Sequence, residues 1–121
     1  MKNIELVELN NNLSKITNLE TSIPVSEGFK IIKNRQAIQN ELKPFEEMRN
    51  TIVTKYADGN GEVKQDNPNF ETCLKEVTEL GNQECEDISF KKIKLSALEN
   101  LELPMNVISA IAFMIEDSEE E

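Results

Sequence analysis

The apolar positions of this chain fall into blocks with different periods. In "NIELVEL", Ile4 and Leu6 flank Glu5 on one face while Val7 and Leu9 occupy the other, which predicts a short strand at the N-terminus. "LSKITNLE" places Leu13, Ile16 and Leu19 at helical spacing and predicts a turn or two of helix. From Val25 to Tyr56 the series Phe29, Ile32, Ile38, Leu42, Phe45, Met48, Ile52 and Tyr56 advances mostly in steps of three, four and seven. That is one stripe along a long helix, facing a core. Pro44 interrupts it, so the helix either kinks there or two helices meet. Asn34, Arg35, Gln36, Gln39 and Asn40 dilute the stripe and are expected to be exposed.

"DNPNFETCLKEVTELG" is the clearest element. Asn67 is a candidate cap, Pro68 suits a first helical position, and Phe70, Cys73, Leu74, Val77 and Leu80 line one face before Gly81 stops the helix. A short connection from the long helix would lay this one against it as an antiparallel hairpin. "ECEDISFKKIKL" predicts a strand in which Ile88 and Phe90 share one face and Ile93 and Leu95 the other, and it is expected to pair with the N-terminal strand. Ser96 with Glu99 has the spacing of a capping box. "LPMNVISAIAFMIED" predicts a last helix whose core face is Ile108, Ile111 and Ile115, followed by an acidic tail over residues 116–121. The fold class expected is α+β and mostly α-helical: the helical hairpin, a small antiparallel sheet and a C-terminal helix in a single domain, 1–121.

Between the two long helices, "DGNGEVKQDNPN" spaces Asp58, Asn60, Glu62 and Asp66 as a calcium loop does. An EF-hand loop needs glycine sixth and glutamate twelfth, and counting from Asp58 those positions hold Val63 and Asn69, with Lys64 seventh. Asp58-Gly59 and Asn60-Gly61 are instead strong turn dipeptides, so a turn is expected, at the tip of a small hairpin.

Composition narrows the chemistry. The chain has no histidine and two cysteines, Cys73 and Cys85, which removes Ser-His and Cys-His pairs and most structural zinc sites. Cys73 lies in an apolar stripe and is expected to be a buried thiol; both cysteines are expected to be reduced. No cofactor motif is present. "MKNIELVEL" lacks the apolar core of a leader, and the longest apolar run, Val107 to Ile115, is short of a membrane span. A soluble protein of the cytoplasm is expected, without membrane contact.

The net charge of −10 is uneven: residues 1–65 hold nine basic and nine acidic side chains, residues 66–121 four and fourteen. Such a field repels nucleic acid and attracts basic protein surfaces, although it also simply keeps a surface solvated. The candidate partner-binding residues are Glu71, Glu76, Glu79, Glu84, Glu86 and Asp87. Glu46 and Glu47 are adjacent on a helix and point apart, so they do not converge on a substrate. Glu84, Glu86 and Asp87 have the chemistry for a divalent ion, but acids at a strand start are commonplace. Abundant Asn, Ile and Lys, with "NNN" at 10–12, suggests an AT-rich coding sequence of a low-GC bacterium or its phage.

The order of elements, with "RNTIVTKY", the "DGNGE" turn, "ECEDISFKKIKL" and "LELPMNVISAIAFMIED", resembles small tailed-phage proteins of a family known only as a domain of unknown function. The resemblance covers most of the chain through soft motifs, carries over no functional residue, and implies a phage gene expressed in the bacterial host cytoplasm. A non-enzymatic phage accessory protein that binds another protein, in virion assembly or host modulation, is therefore the leading expectation. The alternative is an acidic anti-defence inhibitor whose carboxylates stand in for phosphates in a host enzyme's nucleic-acid channel. An enzyme and a direct nucleic-acid binder are disfavoured, the latter because "FKKIK" is too short to offset the surrounding acids. Homo-oligomerisation stays open.

Overall fold

The computed structural model describes residues 1–19 and 22–116. Four α-helices carry the chain: α1 (Asn3–Thr17), α2 (Val25–Tyr56), α3 (Phe70–Gly81) and α4 (Met105–Ile111). Two short strands, β1 (Ile93–Lys94) and β2 (Ile115–Glu116), and 3-10 turns at Leu95–Leu98 and Ala112–Met114 complete it. The residues group into two compact units. One takes Met1–Leu6 with Glu41–Glu86, the other Val7–Asn40 with Asp87–Glu121.

The expected N-terminal strand is a helix. Leu6, Leu9, Leu13 and Ile16 recur in steps of three and four and are all buried, so the short alternation at its start is a fragment of a longer helical stripe. Its first turn is closed by Glu5, whose Oε1 accepts the Lys2 N–H at 2.8 Å, the return half of a capping box.

In the first unit, α2 from Glu41 to Tyr56 buries Leu42, Phe45 and Ile52, and α3 buries Cys73. α2 runs on as one helix through Pro44, which lacks the N–H that the Asn40 carbonyl would have received. The turn at Asp58 is present and closes on itself. Asp58 Oδ1 accepts the N–H groups of Asn60 (2.8 Å) and Glu62 (3.1 Å), and Gly61 takes the left-handed φ of 78°. It is flanked by no strands, so it is not a hairpin tip. α3 starts two residues beyond Pro68. Asn67 acts before it, accepting the Asn69 N–H (2.8 Å) and donating Nδ2 to the Tyr56 carbonyl (3.1 Å). An antiparallel bridge joins Lys2 to Glu84, so residues 83–85 do meet the N-terminus, through a single pairing rather than a ladder.

In the second unit the strand expected over "ECEDISFKKIKL" shrinks to Ile93–Lys94, and residues 85–92 make no ladder. The expected antiparallel sheet is corrected to a two-stranded parallel one, Ile93 opposite Ile115 and Lys94 opposite Glu116. The reason is the connection. The expected partner strand is helical, and the chain from β1 to β2 crosses over through the 3-10 turns and α4, which brings β2 back in the same direction. Ser96 makes no capping bond; the turn there is 3-10 and begins at Leu95. The last core face is Val107, Ile111 and Met114, displaced from the expected set: Ile108 is exposed and Ile115 has left the helix for β2. Phe90 and Phe113 meet edge to face at 5.4 Å. The acidic tail lies, from Asp117 on, outside the described residues.

Candidate interaction surfaces

The first four turns of α2 mix polar residues into the buried face and leave apolar ones outside. On the buried side stand Glu27 (5% exposed), Ile31, Asn34 (2%) and Ile38, at steps of four, three and four. Turned outward are Val25 (88% exposed), Phe29 (56%) and Ile32 (48%), at steps of four and three. The long stripe expected through Phe29 and Ile32 therefore breaks in this half, and Asn34, expected on the surface, is inside.

The polar pair is buried because an extended backbone lies against it. Asn34 Oδ1 accepts the Lys91 N–H at 2.8 Å, and its Nδ2 donates to the Lys91 carbonyl at 3.0 Å. A side-chain amide carries the same donor and acceptor as a peptide, so Asn34 substitutes for a neighbouring strand. Glu27 Oε1 accepts the Lys94 N–H at 2.8 Å, and Lys30 Nζ completes the site at 3.2 Å from Oε2. The spacing matches. Seven helical residues rise about 10 Å, and three extended residues span about 10 Å in the opposite sense. The Lys94 amide bond first, and then the Lys30 ammonium, hold the Glu27 carboxyl below its ordinary value against the opposing effect of burial.

Beside this latch lies a groove of about 450 Å³ lined by Leu19, Ile23, Gly28, Ile32 and Arg35. Arg35 Nη1 donates to Thr17 Oγ1 at 2.9 Å, which fixes the guanidinium. Its Nε is buried and finds no partner among the described residues. Lys33 stands over the Phe29 ring at 4.7 Å. A second depression, of about 740 Å³, carries Glu8, Asn11, Asn12, Lys15, Asn106 and Ser109, a polar lining without an aromatic platform.

The acidic candidates are dispersed. Glu71 and Glu79 are exposed on α3, while Glu76 is half-buried with an unpartnered Oε2. Glu84 pairs with the Met1 amine at 2.9 Å. Glu86 is exposed and donates its backbone N–H to Glu41 Oε2 at 3.1 Å. These five belong to the first unit and Asp87 to the second. Glu46 and Glu47 are exposed on α2. Among the described residues no three His, Cys, Asp or Glu side chains are grouped to hold a metal ion.

Both cysteines are free thiols and Cys73 is buried. Cys85 donates Sγ–H to Asn3 Oδ1 at 3.0 Å. Burial first, and then the Glu41 carboxylate, push its pKa up, the direction opposite to an activated nucleophile. Among the described residues no helix is long and apolar enough to cross a membrane.

The groove and the outward apolar face were hidden from sequence reasoning by one assumption, that every apolar residue of α2 belongs to one stripe. The signal was present: Glu27, Ile31, Asn34 and Ile38 are a second register, disguised by its two polar members. No family model matches the chain, and no curated protein or solved structure shows similarity to it.

Proposed function

We propose that this chain is a non-enzymatic phage accessory protein that works by binding another protein in the bacterial host cytoplasm, in virion assembly or host modulation. The observation that carries the reading is the outward row Val25, Phe29 and Ile32. Single exposed apolar side chains are ordinary; a row of three at steps of four and three, beside a groove, is the pattern by which helical faces engage partners. Arranging α2 and α3 as an antiparallel hairpin belongs to the same reading, because it would give the chain long faces to present.

The test is capture of partners by the tagged chain from host lysate, with and without infection, at low and high salt. A partner held through the apolar row survives high salt and is lost with Phe29→Glu/Ile32→Glu. A partner unaffected by that variant contradicts the reading. The exposed carboxylates Glu71, Glu79, Glu84 and Glu86 favour a second one, mimicry of nucleic acid in a host enzyme's channel. That reading predicts a nucleic-acid enzyme that departs as salt rises and is not captured by Glu84→Lys/Glu86→Lys.

A further inference from the structure

The groove beside α2 has a chemistry more specific than an apolar face. Its walls are Leu19, Ile23 and Ile32, and Gly28 opens it, since nothing stands within 4 Å of where a Gly28 Cβ would be. One of its lining residues is a cation. The Arg35 guanidinium is oriented by the Nη1 bond to Thr17, and its Nε donor has no partner among the described residues. Thr17 holds one corner of the guanidinium and Nε is buried, so what the groove meets is the charge of Arg35, which a carboxylate complements and an amine or a neutral amide does not. Lys33, above Phe29, adds positive charge on the same half-helix. The only carboxylate on α2 before Glu41 is Glu27, which faces inward and is engaged by Lys94 and Lys30. In a chain of net charge −10, Arg35 is, among the described residues, the one charged side chain lining this apolar groove.

We propose that the groove receives an acidic amphipathic segment of a partner protein. An apolar side chain of that segment would enter between Leu19, Ile23 and Ile32, and a carboxylate a turn away would engage Arg35. This rests on the partner-binding reading above and names the chemistry of the partner. Complementary charge sets the choice: a basic segment would face Arg35 and Lys33 with like charge, and a neutral one would leave the Arg35 charge uncompensated.

The experiment pans a random 16-residue peptide library against the intact chain and measures the affinity of the enriched peptides. The expected consensus places Glu or Asp three or four residues from Leu, Ile or Phe. Binding should weaken at least about tenfold with Arg35→Glu. A Lys-for-Glu exchange in the peptide should recover part of that loss. Gly28→Glu is the second variant. It leaves Arg35 and Thr17 themselves unaltered, sits in the first turn of α2 where a carboxylate is tolerated, and should also weaken acidic peptides. A basic or neutral consensus, no enrichment, or affinity unchanged by both variants overturns the proposal. So does a dimer in sedimentation that Ile32→Glu dissociates, because it seats a second copy in the groove. Failure here with continued capture of a partner that Phe29→Glu/Ile32→Glu abolishes leaves the partner-binding reading standing. Loss of both removes that reading as well.

Discussion

The two halves of α2 pack by different rules. From Glu41 to Tyr56 the helix buries Leu42, Phe45 and Ile52 and exposes Glu46 and Glu47, as an amphipathic helix should, with Met48, expected in the stripe, exposed as well. From Val25 to Asn40 it buries Glu27 and Asn34 between Ile31 and Ile38 and exposes Val25, Phe29 and Ile32. The first half has an extended backbone beside it. The extended residues 91–94 bring unsatisfied N–H and C=O groups into a core, and only a polar helix face can meet them. Asn34 and Glu27 do so at a spacing that helix and extended chain share. The cost of that solution is an apolar row left in solvent, and this row is what the functional proposal uses.

The sharpest way to break the comparison is a pair of neighbours. Ile31→Ala should destabilise the chain by roughly 3–4 kcal/mol, as emptying a core site does, whereas Ile32→Ala should cost about 1 kcal/mol or less. Denaturant midpoints of the two variants measure this, and equal losses would mean the two faces are not distinct. Asn34→Ala should come next, at about 1–3 kcal/mol, because it removes the part-buried partner of both backbone groups of Lys91.

Glu27 sharpens the same contrast through pH. Its folded pKa is lowered, so its stabilising effect is full above the ordinary glutamate value of 4.5 and is lost as pH falls through the folded value. Glu27→Gln keeps an acceptor for Lys94 but has no charge to titrate. The stability advantage of the native chain over this variant should therefore shrink as pH is lowered from 7 to 3, in parallel thermal melts. A constant or widening gap would contradict the ionised latch. The smallest effect belongs to Gly81, the buried last residue of α3. An added methyl would meet Ile4 Cβ at 3.6 Å, ordinary contact, so Gly81→Ala should be neutral or stabilising by up to about 1 kcal/mol. A clear loss in chemical denaturation would show that the glycine is needed there.

Much of the helical architecture was legible in the sequence. The bounds of α2, the turn at Asp58, α3 to within a few residues and the burial of Cys73 all follow from periodicity and turn chemistry. What escaped has physical causes. α1 was masked because four of its apolar residues also fit a two-residue alternation, and only the continuation to Leu13 and Ile16 separates the alternatives. β1 and β2 are two residues each, too short to have a period, and their parallel pairing depends on a crossover rather than on local pattern. The C-terminal face slid because Ile115 leaves the helix. As for sites, the acidic residues were visible as composition, but the structure spreads them along α3 and the 84–87 segment. The groove at Arg35 was not visible at all, because it exists only once Phe29 and Ile32 are known to face outward.

The account stands or falls on the buried polar register of α2, and amide hydrogen exchange at Lys91 and Lys94 tests it most directly. Both side chains are exposed, and only Lys94 belongs to a strand, so nothing in the local sequence predicts protection. The account predicts that both amides are strongly protected, that Asn34→Ala releases Lys91, and that Glu27→Ala releases Lys94. Exchange of both amides at the rate of an open loop in the native chain would contradict it.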